Sequence, residues 1–206
     1  EKIKLIDMLP AEFKLQYGEE GLDEGESHAH EGEEGDHISG IDPHFWMDPL
    51  AVKSILPALA KKLSALAPER AAEIKRRAAE FAAKLDSLNS EMAAILSPAK
   101  GGSVFTYHPS MRYLLKRYGL RYAGSIELSP GKEASPSYIA GLTNKIKSSG
   151  ARSIFTEPQF PKKPAEMLAD AAGVKLLELD PIGAKAKSYR ELLLQNARIL
   201  AKGLAK

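Results

Sequence analysis

"PERAAEIKRRAAEFAAKLDSLNSEMAAIL", Pro68–Leu96, is the stretch whose reading decides the fold. Ile74, Ala78, Phe81, Leu85, Leu88, Met92 and Ile95 recur at steps of three and four, which places them on one face of an α-helix. Pro68 suits the first helical turn, and Glu69 lies near the positive end of the helix dipole. Ser97-Pro98 ends the pattern, since proline cannot continue the hydrogen-bond ladder. At ~1.5 Å per residue such a helix runs roughly 43 Å, more than the width of a small domain. It is either one arm of a helical bundle or a rigid strut joining two lobes.

Upstream, Asp48-Pro49 opens another helical region, with Val52, Ile55, Leu56, Leu59 and Leu63 at helical spacing. Pro57 is expected to bend or interrupt it. Residues 17–39 are glycine, glutamate, aspartate and histidine with almost nothing to pack, so they read as a mobile loop. "IKLIDMLPAEF" reads as a strand end followed by a turn at Pro10.

Downstream of "AKGGS" the pattern changes. "VFTYH", "RYAGSIEL", "ARSIFTEP" and "VKLLELD" are short runs rich in β-branched and aromatic residues. Helical segments Ser110–Tyr118, Ser135–Ser149, Lys162–Ala172 and Ser188–Leu204 separate or follow them. Strands alternating with helices predict an α/β fold with a parallel sheet flanked by helices. The expected organisation is 1–49 as an N-terminal portion containing the loop 17–39, 50–98 as a helical region, and 99–206 as a C-terminal α/β lobe.

The chain has 206 residues, is 44% hydrophobic and carries a formal net charge of +2. That suits one larger domain or two small ones. A pI near 8.6 without basic runs interleaved with aromatics argues against nucleic acid as a partner. No apolar run is long enough to span a bilayer. With no cysteine, disulfides, iron–sulfur clusters and thiolate zinc sites are excluded. The opening Glu1-Lys2-Ile3-Lys4 shows no signal peptide and reads like the middle of a domain, so a leader and more is expected to precede it.

In an open parallel sheet, right-handed crossovers bring the strand C-terminal ends to one edge, where ligands bind. The first strand ends in His108, the third in Glu157 and the last in Asp180. His44, before the long helix, can join them if that helix returns the chain to the same cleft. Two imidazoles and a carboxylate suit zinc, and also manganese, iron or nickel. Singly, each has a plain alternative: a histidine after a strand is more often structural, and an aspartate before proline is usually a turn or cap.

The motifs "DPHFWMDP", "FTYHPSMRYLLKRYGL", "IELSPGKEASP", "IFTEPQF" and "LDPIG", in that order from about His37 to the C-terminus, resemble the metal-binding proteins that feed ABC-type zinc and manganese importers. The resemblance implies two α/β lobes joined by one long rigid helix, with metal held between them. It implies His44, His108 and Asp180 as ligands, zinc over manganese because relatives that handle manganese tend to carry glutamate at the position of His108, and Glu157 as a carboxylate that orients a ligand imidazole. Family members have a further histidine in a region upstream of where this chain begins, together with the first strands and helices of the N-terminal lobe. The N-terminal lobe is therefore expected to be incomplete here, with a dimer through it as one consequence.

Zinc-specific relatives carry a mobile loop rich in histidine and acidic residues, and "SHAHEGEEGDH" resembles a short version. His28, His30 and His37 would collect zinc weakly, because ordering a flexible segment costs entropy. The expected function is capture of a divalent metal outside the cytoplasmic membrane, by a periplasmic or membrane-anchored extracellular protein that does not itself span the membrane, and delivery to the permease of an ABC-type importer. The alternatives are a manganese-binding member of the same family, an adhesin-like surface protein, and a zinc-dependent hydrolase. Against the hydrolase, there is no H-E-x-x-H and no nucleophile elbow.

Overall fold

The structure is a computed structural model, and it describes residues 2–16, 40–126 and 136–205. Helix α1 (Pro49–Leu66) is opened by Asp48, whose side chain accepts from the Leu50 N–H at 2.8 Å, with proline at the first position. A single 3-10 turn, Pro68–Arg70, separates it from α2 (Ala71–Leu96). The long helix thus starts three residues later than the sequence pattern predicts, because Pro68 sets up a tight turn. Pro57 sits inside α1 without interrupting it. Its side chain is exposed, so the helix carries the missing hydrogen bond on its solvent side.

The lobe that follows alternates strictly: β1 (Ser103–Thr106), α3 (Arg112–Tyr118), β2 (Arg121–Ser125), α4 (Pro136–Ser149), β3 (Ser153–Thr156), α5 (Lys162–Ala172), β4 (Lys175–Glu178) and α6 (Tyr189–Leu204). The strands form one parallel sheet in the order β2-β1-β3-β4. This is the α/β architecture that the alternation predicts. The central strands β1 and β3 are buried along their whole length, as strands covered on both faces must be.

Successive residues of each strand point to opposite faces and meet two different hydrophobic clusters. Val104 and Phe155 join Leu96, Leu114, Leu193 and Leu200 on the face covered by α1, α2, α3 and α6. Phe105 and Ile154 join Ile146, Ala165 and Leu168 on the face covered by α4 and α5. Helix α6 lies so close to the sheet that a Cβ built at Gly203 would stand 2.6 Å from Phe155 Cζ. Gly119 ends α3 at φ +68°, a conformation that favours glycine, and its N–H bonds back into the last turn.

The segment before α1 holds two 3-10 turns, Leu5–Met8 and Ala11–Phe13, where the sequence suggests a strand end. Pro10 removes a donor and fixes φ between them, so a ladder cannot run through. One isolated antiparallel bridge pairs Gln16 with Ile41. Leu9, Leu15, Phe45 and Met47 are nonetheless buried, in the same cluster as Leu96 and Leu193. Residues 2–16 and 40–48 therefore share a core with the sheet lobe.

Along α2 burial changes by halves. Leu85, Leu88, Met92 and Leu96 are buried, whereas no residue from Ala71 to Lys84 is. That first half lies beside α1, and the two helices leave a groove of about 500 Å³ lined by Leu63, Leu66, Ile74 and Phe81 among others.

Candidate metal centre

In the order β2-β1-β3-β4 the chain leaves β1 in one direction and returns to its other side, so the topological switch lies between β1 and β3. The crevice outside the C-terminal ends of those two strands is where an open α/β sheet takes a ligand. His108 stands two residues beyond β1 and Glu157 one residue beyond β3.

His44 reaches the same crevice from the segment that leads into α1. Its ring lies against the His108 ring at a centroid distance of 5.1 Å, nearly edge-on at 72°. Trp46 flanks it on another side at 5.2 Å. Two imidazoles from parts of the chain more than sixty residues apart thus share one crevice.

The orientation of His44 is set by Asp42, which is completely buried. Asp42 Oδ1 lies 2.7 Å from His44 Nδ1 and also accepts the His44 backbone N–H at 2.9 Å. An ionised carboxylate can only accept, so this contact is a hydrogen bond when Nδ1 carries a proton. Asp42 is held in turn by α3: Arg112 Nη1 is 3.5 Å from Oδ2, and the Tyr113 hydroxyl donates to the Asp42 carbonyl at 2.9 Å. The Tyr113 oxygen also accepts the Leu15 N–H at 3.1 Å.

Glu157 is almost wholly buried. The Ser110 hydroxyl donates to its Oε1 at 2.8 Å and the Gln159 amide to its Oε2 at 2.5 Å. Burial pushes its carboxyl above the usual carboxylate range; the bond from Ser110 and the nearby His108 and His44 pull the other way. Beside it, Phe160 stacks on Tyr107 at 4.7 Å and tilts against His108 at 5.7 Å, closing the crevice with apolar surface.

Asp180 lies two residues beyond β4. Its Oδ1 accepts the backbone N–H groups of Gly183 and Ala184 at 2.8 and 3.1 Å, and its Oδ2 that of Lys185 at 3.0 Å. Asn196 on α6 bonds its main chain on both sides, accepting from the Asp180 N–H and donating to its carbonyl. The Trp46 indole N–H donates to the Pro181 carbonyl at 2.9 Å, which ties the Asp180 turn to the His44 segment.

The structure therefore brings His44, His108 and Glu157 to one crevice and gives Asp180 a turn-capping role at the same sheet edge. Among the described residues no three His, Asp or Glu side chains converge as a metal-holding group. His28, His30 and His37 lie outside the described residues. Asp42 is the residue of this crevice that the strand-end reading overlooks. Its signal was the two-residue spacing in "DPH", which lets an aspartate fold back onto the backbone and ring of the histidine.

The sequence model of the family described as "Zinc-uptake complex component A periplasmic" matches residues 4–203. The chain is 37% identical over 163 residues to the "High-affinity zinc uptake system protein ZnuA" of Brucella abortus, covering 79% of this chain and 49% of that protein. It thus spans about half the length of the curated relatives it matches. A crystal structure of ZnuA superposes with a TM-score of 0.71 at 30% identity, covering 85% of this chain and 64% of that one. A ZnuA deletion mutant with zinc bound gives 0.71 at 29%, covering 84% and 64%.

Proposed function

The chain belongs to the family of periplasmic zinc-uptake components, and on that premise we propose that it captures a divalent metal ion, zinc before manganese, for delivery to the permease of an ABC-type importer. One observation carries this reading: the His44 and His108 rings meet at the switch point of the sheet, with His44 Nδ1 held by a buried carboxylate. A metal-ligating imidazole characteristically gives its other N–H to such a partner. Zinc is the better match to two imidazoles, and manganese to a set richer in oxygen.

His44 and His108 are the proposed nitrogen ligands, with Asp180 as the proposed oxygen ligand. Asp180 Oδ2 accepts one N–H and keeps a lone pair, and the Trp46–Pro181 bond holds its turn beside the His44 segment. Glu157 is the proposed orienting carboxylate. The names of the curated relatives favour zinc uptake over the hydrolase and adhesin-like readings; the adhesin-like reading has its support in solved relatives such as the laminin-binding adhesin of Streptococcus agalactiae. Binding is expected outside the cytoplasmic membrane, and no described helix is long and apolar enough to cross one. A dimer remains part of the proposal, to be read from the oligomeric state in solution.

Competition of purified protein with a zinc chelator tests the reading. His44→Ala, His108→Ala and Asp180→Ala should each weaken zinc binding; binding like the parent's in all three would overturn the site. His28, His30 and His37 are proposed as weak collectors. Deleting residues 25–35 should remove low-affinity sites from a calorimetric zinc titration and leave the high-affinity site in place.

A further inference from the structure

We propose that Asp42 is a positioning residue for metal capture: it fixes the Nδ1–H tautomer and the ring plane of His44, so that Nε2 is presented as the donor. The proposal rests on the metal reading above and adds to it the device that makes one of the two imidazoles ready to bind.

The case is geometric. Asp42 precedes His44 by two residues, and one oxygen, Oδ1, accepts both the backbone N–H and the ring Nδ1–H. Two bonds converging on one oxygen fix both where the His44 main chain sits and which way its ring turns. A free imidazole exchanges its proton between two nitrogens, and only the tautomer with the proton on Nδ1 leaves Nε2 able to donate to a metal. The carboxylate is itself held on several sides. It is fully buried, its carbonyl is gripped by Tyr113, and its second oxygen faces the Arg112 guanidinium. Arg112 and Tyr113 open α3, which begins four residues after His108. The element that follows one imidazole therefore holds the residue that orients the other, and the two rings are set relative to each other through the protein.

The experiment compares the parent with Asp42→Asn, Asp42→Ala and His44→Ala. Long-range proton–nitrogen NMR spectra of the metal-free proteins read the His44 tautomer, and chelator competition reads zinc affinity. In the parent the His44 proton should sit on Nδ1. Asp42→Ala should move the population toward Nε2–H and weaken zinc binding by about 10–100-fold. Asp42→Asn keeps an acceptor oxygen, so it should retain the Nδ1–H tautomer and lose less affinity; it also keeps the test intact if the alanine variant fails to fold. An unchanged tautomer in Asp42→Ala, or an affinity equal to the parent's while His44→Ala loses affinity, overturns the proposal. A tautomer shift in Asp42→Ala combined with parent-like zinc binding in His44→Ala overturns the metal reading instead.

Discussion

The indole N–H of Trp46 donates to the carbonyl of Pro181 at 2.9 Å, across 135 positions of chain. It joins the segment carrying His44 to the turn capped by Asp180, while the Tyr189 hydroxyl of α6 donates to the Trp46 carbonyl at 2.7 Å.

Trp46→Phe keeps most of the apolar contact and removes that donor. The buried Pro181 is left with an unmet acceptor, at a cost of about 1–3 kcal/mol. We expect a fall of the urea midpoint and weaker zinc binding in the same variant. Zinc binding equal to the parent's would show that the Asp180 turn keeps its place without the indole.

Alkaline pH should destabilise the fold through its buried tyrosines. Burial pushes Tyr118 and Tyr189 well above the ordinary phenol value, with the Asp48 carboxylate adding to both, and it raises Tyr113 as well. A raised folded value means that the folded state keeps a proton the unfolded chain gives up. The stabilisation is therefore complete below the unfolded value of about 10 and is lost as pH rises from there toward the folded values. Urea midpoints of Tyr118→Phe measured from about pH 9 to 11 should fall less steeply than the parent's. Parallel curves would refute this.

Gly203 is where α6 touches the sheet. A methyl group there would meet Phe155 Cζ at 2.6 Å and Leu177 Cδ1 at 2.8 Å. Gly203→Ala should gain helix propensity yet lose stability overall, by about 1–3 kcal/mol, since overpacking moves side chains that are already closely packed. Thermal denaturation checks the sign: a rise in melting temperature would mean that α6 shifts freely.

The buried half of α2 and the exposed C-terminal end of α1 should respond differently to truncation. Leu88 is 3% exposed, and Leu88→Ala should cost about 2–5 kcal/mol. Leu66, at the hairpin end of α1, is 54% exposed, and Leu66→Ala should stay within about 0.5 kcal/mol. Equal losses in denaturant melts would show that the groove beside Leu66 is filled in solution.

Much of this architecture was legible in the sequence because periodicity survives folding. The β-branched runs around Phe105, Ile154 and Leu176 became strands, and the stripe from Ile74 to Ile95 became a helix. What escaped was decided by tertiary context. "IKLIDMLPAEF" looked extended, but Pro10 denies it a ladder and burial of Leu9 against the helices holds it in turns. Pro57 looked like a break, but packing of Ile55, Leu56 and Ala60 carries α1 through it. The strand-end rule brought His108 and Glu157 to the crevice, since it depends only on strand direction. It could not reveal that Asp180 also caps a turn, nor that Asp42 faces His44, because both depend on local backbone geometry.

The grip of α3 on Asp42 also has a consequence in time. Tyr113 and Arg112 lie about seventy positions from Asp42, so these are non-local contacts, whose loop-closure entropy slows folding. A chain in which α3 has not docked lacks the partners that hold Asp42, and with it the His44 ring, in place.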